Sequence, residues 1–166
     1  NLMKKVRFPR ITLPAIVLGL NLFNNMILLS CMFVIFLFLG HHFELVIFWL
    51  LPLTMLLAAF SVGLGLIVGI VNVFVRDLTQ VVPIILQMLF WFTPIVYPVS
   101  IIPEKFRHLL ELNPVYHFVS AYHEIIVYGQ SPQLGSTLII GTLTILFLTF
   151  SLVIFRRANE EMVDVL

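Results

Sequence analysis

The stretch Asn72-Val73-Phe74-Val75-Arg76-Asp77-Leu78 sets two adjacent charges between long apolar runs. At the centre of a bilayer each such charge costs about 2.5–3.5 kcal/mol, so Arg76 and Asp77 belong at a membrane surface and the flanking runs inside it. The same reasoning extends in both directions. Asp, Glu, Lys and Arg are absent between Arg10 and Glu44, Glu44 and Arg76, Asp77 and Glu104, and Glu124 and Arg156. Each interval exceeds the roughly 20 residues a helix needs to cross hydrocarbon. The chain of 166 residues is 61% hydrophobic and only 10% charged, against about a quarter charged in soluble domains. An ordinary soluble domain is thereby excluded. The composition predicts one all-α domain over residues 1–166, a polytopic transmembrane helix bundle with spans at about 11–39, 45–75, 79–99 and 134–155.

Charge fixes the expected orientation. With four spans both ends share one side with the Arg76-Asp77 turn, and that side carries Lys4, Lys5, Arg7, Arg10, Arg76, Arg156 and Arg157. The other side has Lys105 and Arg107 beside Glu44, Glu104, Glu111 and Glu124. The excess of basic residues predicts that both ends are cytoplasmic, and it explains the basic N-terminal segment without a nucleic-acid partner. Cys31 is the single cysteine, so no disulfide framework is expected.

Within the spans, Asn21, Asn24 and Asn25 form a polar stripe suited to interhelical hydrogen bonds or to a hydrated path. Ser61, Gly65 and Gly69 recur every four residues, a spacing that lets another helix approach closely. The third span is unusual. Pro83, Pro94 and Pro98 each remove a backbone donor, predicting a kinked helix or carbonyls satisfied by neighbours. Gln80, Gln87, Trp91, Pro94 and Pro98 share a stripe, flanked by Phe90 and Tyr97, and amides mixed with rings can contact sugar as readily as form an interfacial aromatic belt.

Two short amphipathic helices are expected outside the membrane, as interfacial or re-entrant elements. The first, 103–112, turns Phe106, Leu109 and Leu110 to one side and pairs Glu104 with His108 and Arg107 with Glu111. Asn113 then offers a cap and Pro114 a first helical position for the second, 114–128. Its apolar stripe contains Val115, Phe118, Val119, Tyr122, Ile125 and Ile126; its polar stripe, read as a solvated face, contains His117, Ser120, Glu124 and Tyr128.

Catalytic motifs are scarce. No G-x-x-x-x-G-K-[ST] sequence is present to cradle ATP phosphates, and His123-Glu124 opens like H-E-x-x-H but has Val127 where the second histidine belongs. The adjacent His41 and His42 lack metal-ligand spacing. No metal site is predicted, and no carboxylate falls inside a span to carry protons.

The ordered set Asn72-Val-Phe-Val-Arg-Asp-Leu78, Phe90-Trp-Phe-Thr-Pro-Ile-Val-Tyr-Pro98, Ile102-Pro103, Leu112-Asn-Pro114, Phe155-Arg-Arg157 and Val163-Asp-Val-Leu166 resembles the ABC-2 type permease subunits that export O-antigen, capsule and teichoic acid polysaccharides. The likeness covers essentially the whole chain. It matches the C-terminal four of the family's six spans, and implies an interface helix and two spans N-terminal to them. It implies a bacterial cytoplasmic-membrane permease that works as a pair with two ATP-binding cassette subunits, exporting lipid-linked polysaccharide through a lipid bilayer. The permease itself would be no enzyme and would bind no cofactor directly; ATP and Mg would sit on the partner subunit.

On this resemblance Lys4, Lys5, Arg7, Arg76 and Asp77 are candidates for the ATPase contact. Gln87, Phe90, Trp91, Phe92 and Tyr97 are candidates for the polysaccharide path, since aromatic rings stack on sugar faces. Phe106, Tyr116, His117, Phe118, Tyr122 and Glu124, on the two short helices, are candidates for an outer gate. Alternatives are an ABC-2 exporter of drugs or small lipids, and an intramembrane acyl- or glycosyltransferase using His117, His123 and Glu124.

Overall fold

The computed structural model describes residues 12–40 and 45–163, and among these all regular structure is helical. Helix α1 covers Thr12–Phe38. A 3₁₀ turn at Leu45–Trp49 leads into α2, Leu50–Phe74. Then come α3, Leu78–Phe92, a second 3₁₀ turn at Val99–Ile101, α4, Glu104–Glu111, α5, Pro114–Ile126, and α6, Leu134–Val163. Three stretches are long and apolar enough to cross a membrane: Ala15–Phe38, Leu45–Phe74 and Leu134–Phe155.

Helix α1 belongs to a unit of its own. Its end is a left-handed cap: Gly40 takes φ +74° and its N–H reaches the Leu37 carbonyl, a backbone conformation glycine adopts without steric cost. Of the predicted amide stripe, Asn21 and Asn24 are exposed, whereas the Asn25 Oδ1 atom is buried and accepts no hydrogen bond among the described residues.

The second unit is built on α2 and α6, which form its principal helix contact. They approach closely at Gly63, where an added Cβ would stand 3.1 Å from the Phe147 carbonyl carbon and 3.2 Å from the Leu148 nitrogen. This corrects the expectation from spacing. Gly65 and Gly69 have nothing within 4 Å and Ser61 is exposed, so the predicted small-residue stripe is not where the two helices of this unit meet. Two residues before Gly65, Gly63 faces α6 instead.

Helix α5 lies against this pair. Phe60 of α2 meets Phe118 of α5 at 5.6 Å between ring centroids and Phe147 of α6 at 5.2 Å, the latter edge to face. Further along, the Thr54 hydroxyl and the Tyr122 hydroxyl share a 2.8 Å hydrogen bond. Since Phe60 pairs with Phe118 and Thr54 with Tyr122, α5 runs antiparallel to α2. It starts level with the middle of the Leu45–Phe74 span and rises toward its Leu45 end. At about 20 Å it is too short to cross hydrocarbon about 30 Å thick. Phe118 and Ile125 are buried as its apolar stripe predicts, and Ala121, outside that stripe, is buried with them.

Helix α3 differs from the expected 79–99 segment. It stops at Phe92 because Pro94 disfavours helical backbone at Thr93, which is extended with φ −93° and ψ 131°. Pro83 is accommodated within α3, but Pro98 lies in extended backbone beyond it. No residue of α3 is buried. At its foot the Thr79 hydroxyl donates to Asn72 Oδ1 at 3.0 Å, bridging the Arg76-Asp77 turn. At its head Thr93, fully buried, accepts a 2.8 Å hydrogen bond from Asn113 Nδ2. The same asparagine caps α5: its Oδ1 accepts from the Val115 N–H at 3.0 Å, with Pro114 in the first turn, as a cap followed by proline predicts.

Candidate functional site

The short helices and the segment after α3 build a cleft. One face of α5 carries Tyr116, Ser120 and Glu124 at four-residue intervals, so they lie one above another with a step of about 6 Å, and Tyr128 follows just beyond the helix end. Opposite runs the segment 94–100, stiffened by Pro94 and Pro98. Between them is a cleft of about 210 Å³, reached also by Ser100 and His123. The carboxylate of Glu124 is fixed from below: its Oε2 accepts the Gln133 N–H at 2.8 Å. Gly129, at φ +62°, reverses the chain so that the Gln130 N–H also reaches the Glu124 carbonyl. A charged acceptor held by a backbone donor keeps a defined direction.

The predicted solvated stripe is otherwise kept, but His117 departs from it. It is buried, with Nε2 2.8 Å from the Glu111 carbonyl oxygen across the α4–α5 corner. That hydrogen bond removes the cost of burying the ring. His117 therefore stands apart from the cleft that His123 and Glu124 line, so the three residues of the enzyme alternative are not gathered in one pocket. Phe118 and Tyr122 face α2 and serve packing. Phe106 is exposed on α4, whose ion pair joins Glu104 to Arg107 at 3.9 Å, rather than either predicted four-residue pair. Arg107 Nε donates to the Ile102 carbonyl at 3.2 Å, a backbone acceptor that draws it away from Glu111.

The aromatic candidates gather at the head of α3. Trp91 is 63% and Phe92 72% exposed, with Gln87 and Phe90 also exposed. Phe90 stands edge-on to Trp91 at 5.6 Å. The Tyr97 hydroxyl donates to the Trp91 carbonyl at 2.8 Å, folding the segment after α3 back over the helix end. Arg76 and Asp77 are exposed at the opposite end of α3; Lys4, Lys5 and Arg7 lie outside the described residues. Among the described residues no group of three or more His, Cys, Asp or Glu side chains could hold a metal ion.

Sequence reasoning named Glu124 and Tyr116 for this region, and Ser120 and Tyr128 only as surface. It missed Ser100 as a wall of the cleft and Thr93 as the anchor of the α4–α5 corner. The Asn113-Pro114 pair signalled the corner, but nothing in the sequence signalled its partner.

An all-helical, multi-pass membrane protein is defined by these features, with a tight charged turn at one end of α3 and a short helical hairpin at the other. The chain belongs to the ABC-2 type transporter family, which matches residues 1–127. It is 29% identical over 168 aligned positions, covering 99% of its length and 64% of the relative's, to the O-antigen export system permease protein RfbA of Myxococcus xanthus. It is 31% identical over 124 positions to the polysialic acid transport protein KpsM of Escherichia coli, covering 74% of this chain and 48% of that one. A further relative, O-antigen export system permease protein RfbA of Klebsiella pneumoniae, is 28% identical over 134 positions, 78% of this chain and 50% of the relative. The chain thus spans about half to two thirds of the length of these curated relatives.

Proposed function

We infer that the protein is a permease subunit of an ATP-driven exporter that moves lipid-linked polysaccharide across the bacterial cytoplasmic membrane. The observation that carries this reading is the likeness over 99% of the chain to a permease named for O-antigen export. The geometry agrees with it. The exposed Arg76-Asp77 turn suits contact with a separate ATP-binding subunit on the cytoplasmic side, together with Lys4, Lys5 and Arg7. The exposed rings of Phe90, Trp91 and Phe92, with Gln87 and Tyr97, suit a path for sugars, because stacking on a ring face tolerates a repeating polymer. Helices α4 and α5, on the far side, suit an outer gate. A second permease copy and two ATPase subunits complete the proposed assembly, with ATP and Mg held by the ATPases and both ends of this chain cytoplasmic.

The test is depletion of the protein in its host. Lipid-linked polysaccharide is expected to accumulate at the cytoplasmic face while surface polysaccharide disappears. Unchanged surface polysaccharide on depletion would overturn the assignment.

A further inference from the structure

Resting on the reading above, we propose that the cleft between α5 and segment 94–100 binds uncharged, hydroxyl-rich saccharide and rejects polyanionic chains. The cleft is lined by the rings of Tyr116 on α5 and Tyr128 just beyond it, with the Ser120 hydroxyl and the Glu124 carboxylate between them in sequence. Rings offer apolar faces to the C–H side of a pyranose, and a carboxylate accepts hydrogen bonds from neighbouring sugar hydroxyls. Glu124 uses Oε2 on the Gln133 N–H, leaving Oε1 as the acceptor for a ligand.

Charge sets the class of ligand. Among the described residues neither lysine nor arginine lines the cleft. The nearest basic side chains in sequence are on α4, where Arg107 is engaged by Glu104 and the Ile102 carbonyl, and Lys105 is exposed. Besides Glu124, the titratable groups that line the cleft are His123, Tyr116 and Tyr128. An acidic sugar would bring its carboxylate or phosphate toward Glu124 with no lysine or arginine among the described lining residues to offset the repulsion. A neutral sugar would meet hydroxyls, rings, the His123 imidazole, the apolar Val99 and Val119 and the Glu124 acceptor. The acidic group that binds sugar hydroxyls is therefore the group that discriminates against acidic polymers.

The experiment uses the full-length permease in nanodiscs, titrated with two probes of equal length: maltoheptaose, which is uncharged, and an α-1,4-linked oligogalacturonate, which is acidic. Binding is read by saturation-transfer NMR and calorimetry. Maltoheptaose should bind saturably and at least about ten-fold more tightly than the acidic probe at low ionic strength. Glu124→Gln, which keeps an acceptor for the Gln133 N–H but removes the charge, should shrink that ratio to about three-fold or less. Tyr128→Ala, at an exposed position beyond the end of α5, should weaken maltoheptaose by about ten-fold without unfolding the protein. Equal affinities for the two probes, absence of maltoheptaose binding, a ratio untouched by Glu124→Gln, or an unaltered affinity in Tyr128→Ala would each overturn the proposal. Surface polysaccharide in cells carrying the same variants separates the two readings. Export that depends on the permease while the cleft binds nothing leaves the exporter assignment standing and removes only the cleft.

Discussion

At Gly63 two long apolar helices approach closely, and its neighbours across the gap are backbone atoms of Phe147 and Leu148. Backbone cannot rotate out of the way as a flexible side chain can, so a larger residue must push α6 aside. Overpacking of this kind costs about 1–3 kcal/mol, and more where the helix cannot shift. Gly63→Leu is accordingly expected to lower the thermal midpoint of the detergent-solubilised protein by several degrees, about 2–4 °C per kcal/mol for a chain of this size. Gly65→Leu, with open space around it, is the matched control and should leave the midpoint near that of the parent. Equal losses at both positions would contradict the placement of the α2–α6 contact. Sequence spacing pointed to Gly65 and Gly69 because small residues at four-residue intervals are the usual signature. A single glycine facing a partner leaves no periodic trace. The buried hydroxyls were equally hidden: Thr54, Thr93, Thr144 and Ser151 each donate to a carbonyl one turn back in their own helix, and this lets them sit among apolar neighbours where composition alone marks them as polar.

Helices α3 and α5 show how far element-level reasoning reaches. The beginning of α3 was legible from Asp77 and the beginning of α5 from Asn113-Pro114, because charges and caps are local signals. The end of α3 was less legible: three prolines in one apolar run could kink a helix or stop it, and only Thr93-Pro94 stops this one. The amphipathic pattern of α5 correctly separated Phe118 and Ile125 from Ser120 and Glu124, yet it could not foresee that His117 would be buried under the Glu111 carbonyl. The cleft depends on the segment after α3 returning over α5, a long-range placement that no periodicity encodes. At the foot of α3, the Thr79–Asn72 hydrogen bond closes the turn while Asp77 remains exposed. Asp77→Ala should therefore spare folding but weaken the coupling of ATP hydrolysis to transport. In proteoliposomes reconstituted with the ATPase, polymer transported per ATP should fall by about ten-fold, equivalent to about 1.4 kcal/mol of lost coupling, with ATPase turnover retained. An unchanged transport-to-hydrolysis ratio would remove Asp77 from the interface.

For the whole molecule, the three long apolar helical stretches and the shorter α3 leave the Arg76-Asp77 turn and the loop after α5 at opposite ends of the proposed topology. In a background with Cys31→Ser, a cysteine at Ser131 should react with a membrane-impermeant maleimide in intact spheroplasts. A cysteine at Arg76 should react only once the membrane is opened. The reverse pattern would invert the orientation drawn from the basic residues. Composition was sufficient for the class of molecule, since charge-free intervals of spanning length admit few other folds. The arrangement within the second unit, with α5 resting on Phe60 and Thr54, needed coordinates.

The fastening of α3 has a mechanical consequence. Joined through Asn72 at one end and Asn113 at the other, and with no buried residue between, it resembles a strut pinned at both ends. A strut transmits axial push and pull faithfully because its hydrogen-bonded backbone resists compression. It resists bowing sideways less, since it rests only lightly on α2 and none of its residues is buried. Under the proposed function, a displacement applied at Asp77 would thus arrive at the Asn113 corner along the helix, with the exposed rings of Phe90 and Trp91 beside that line.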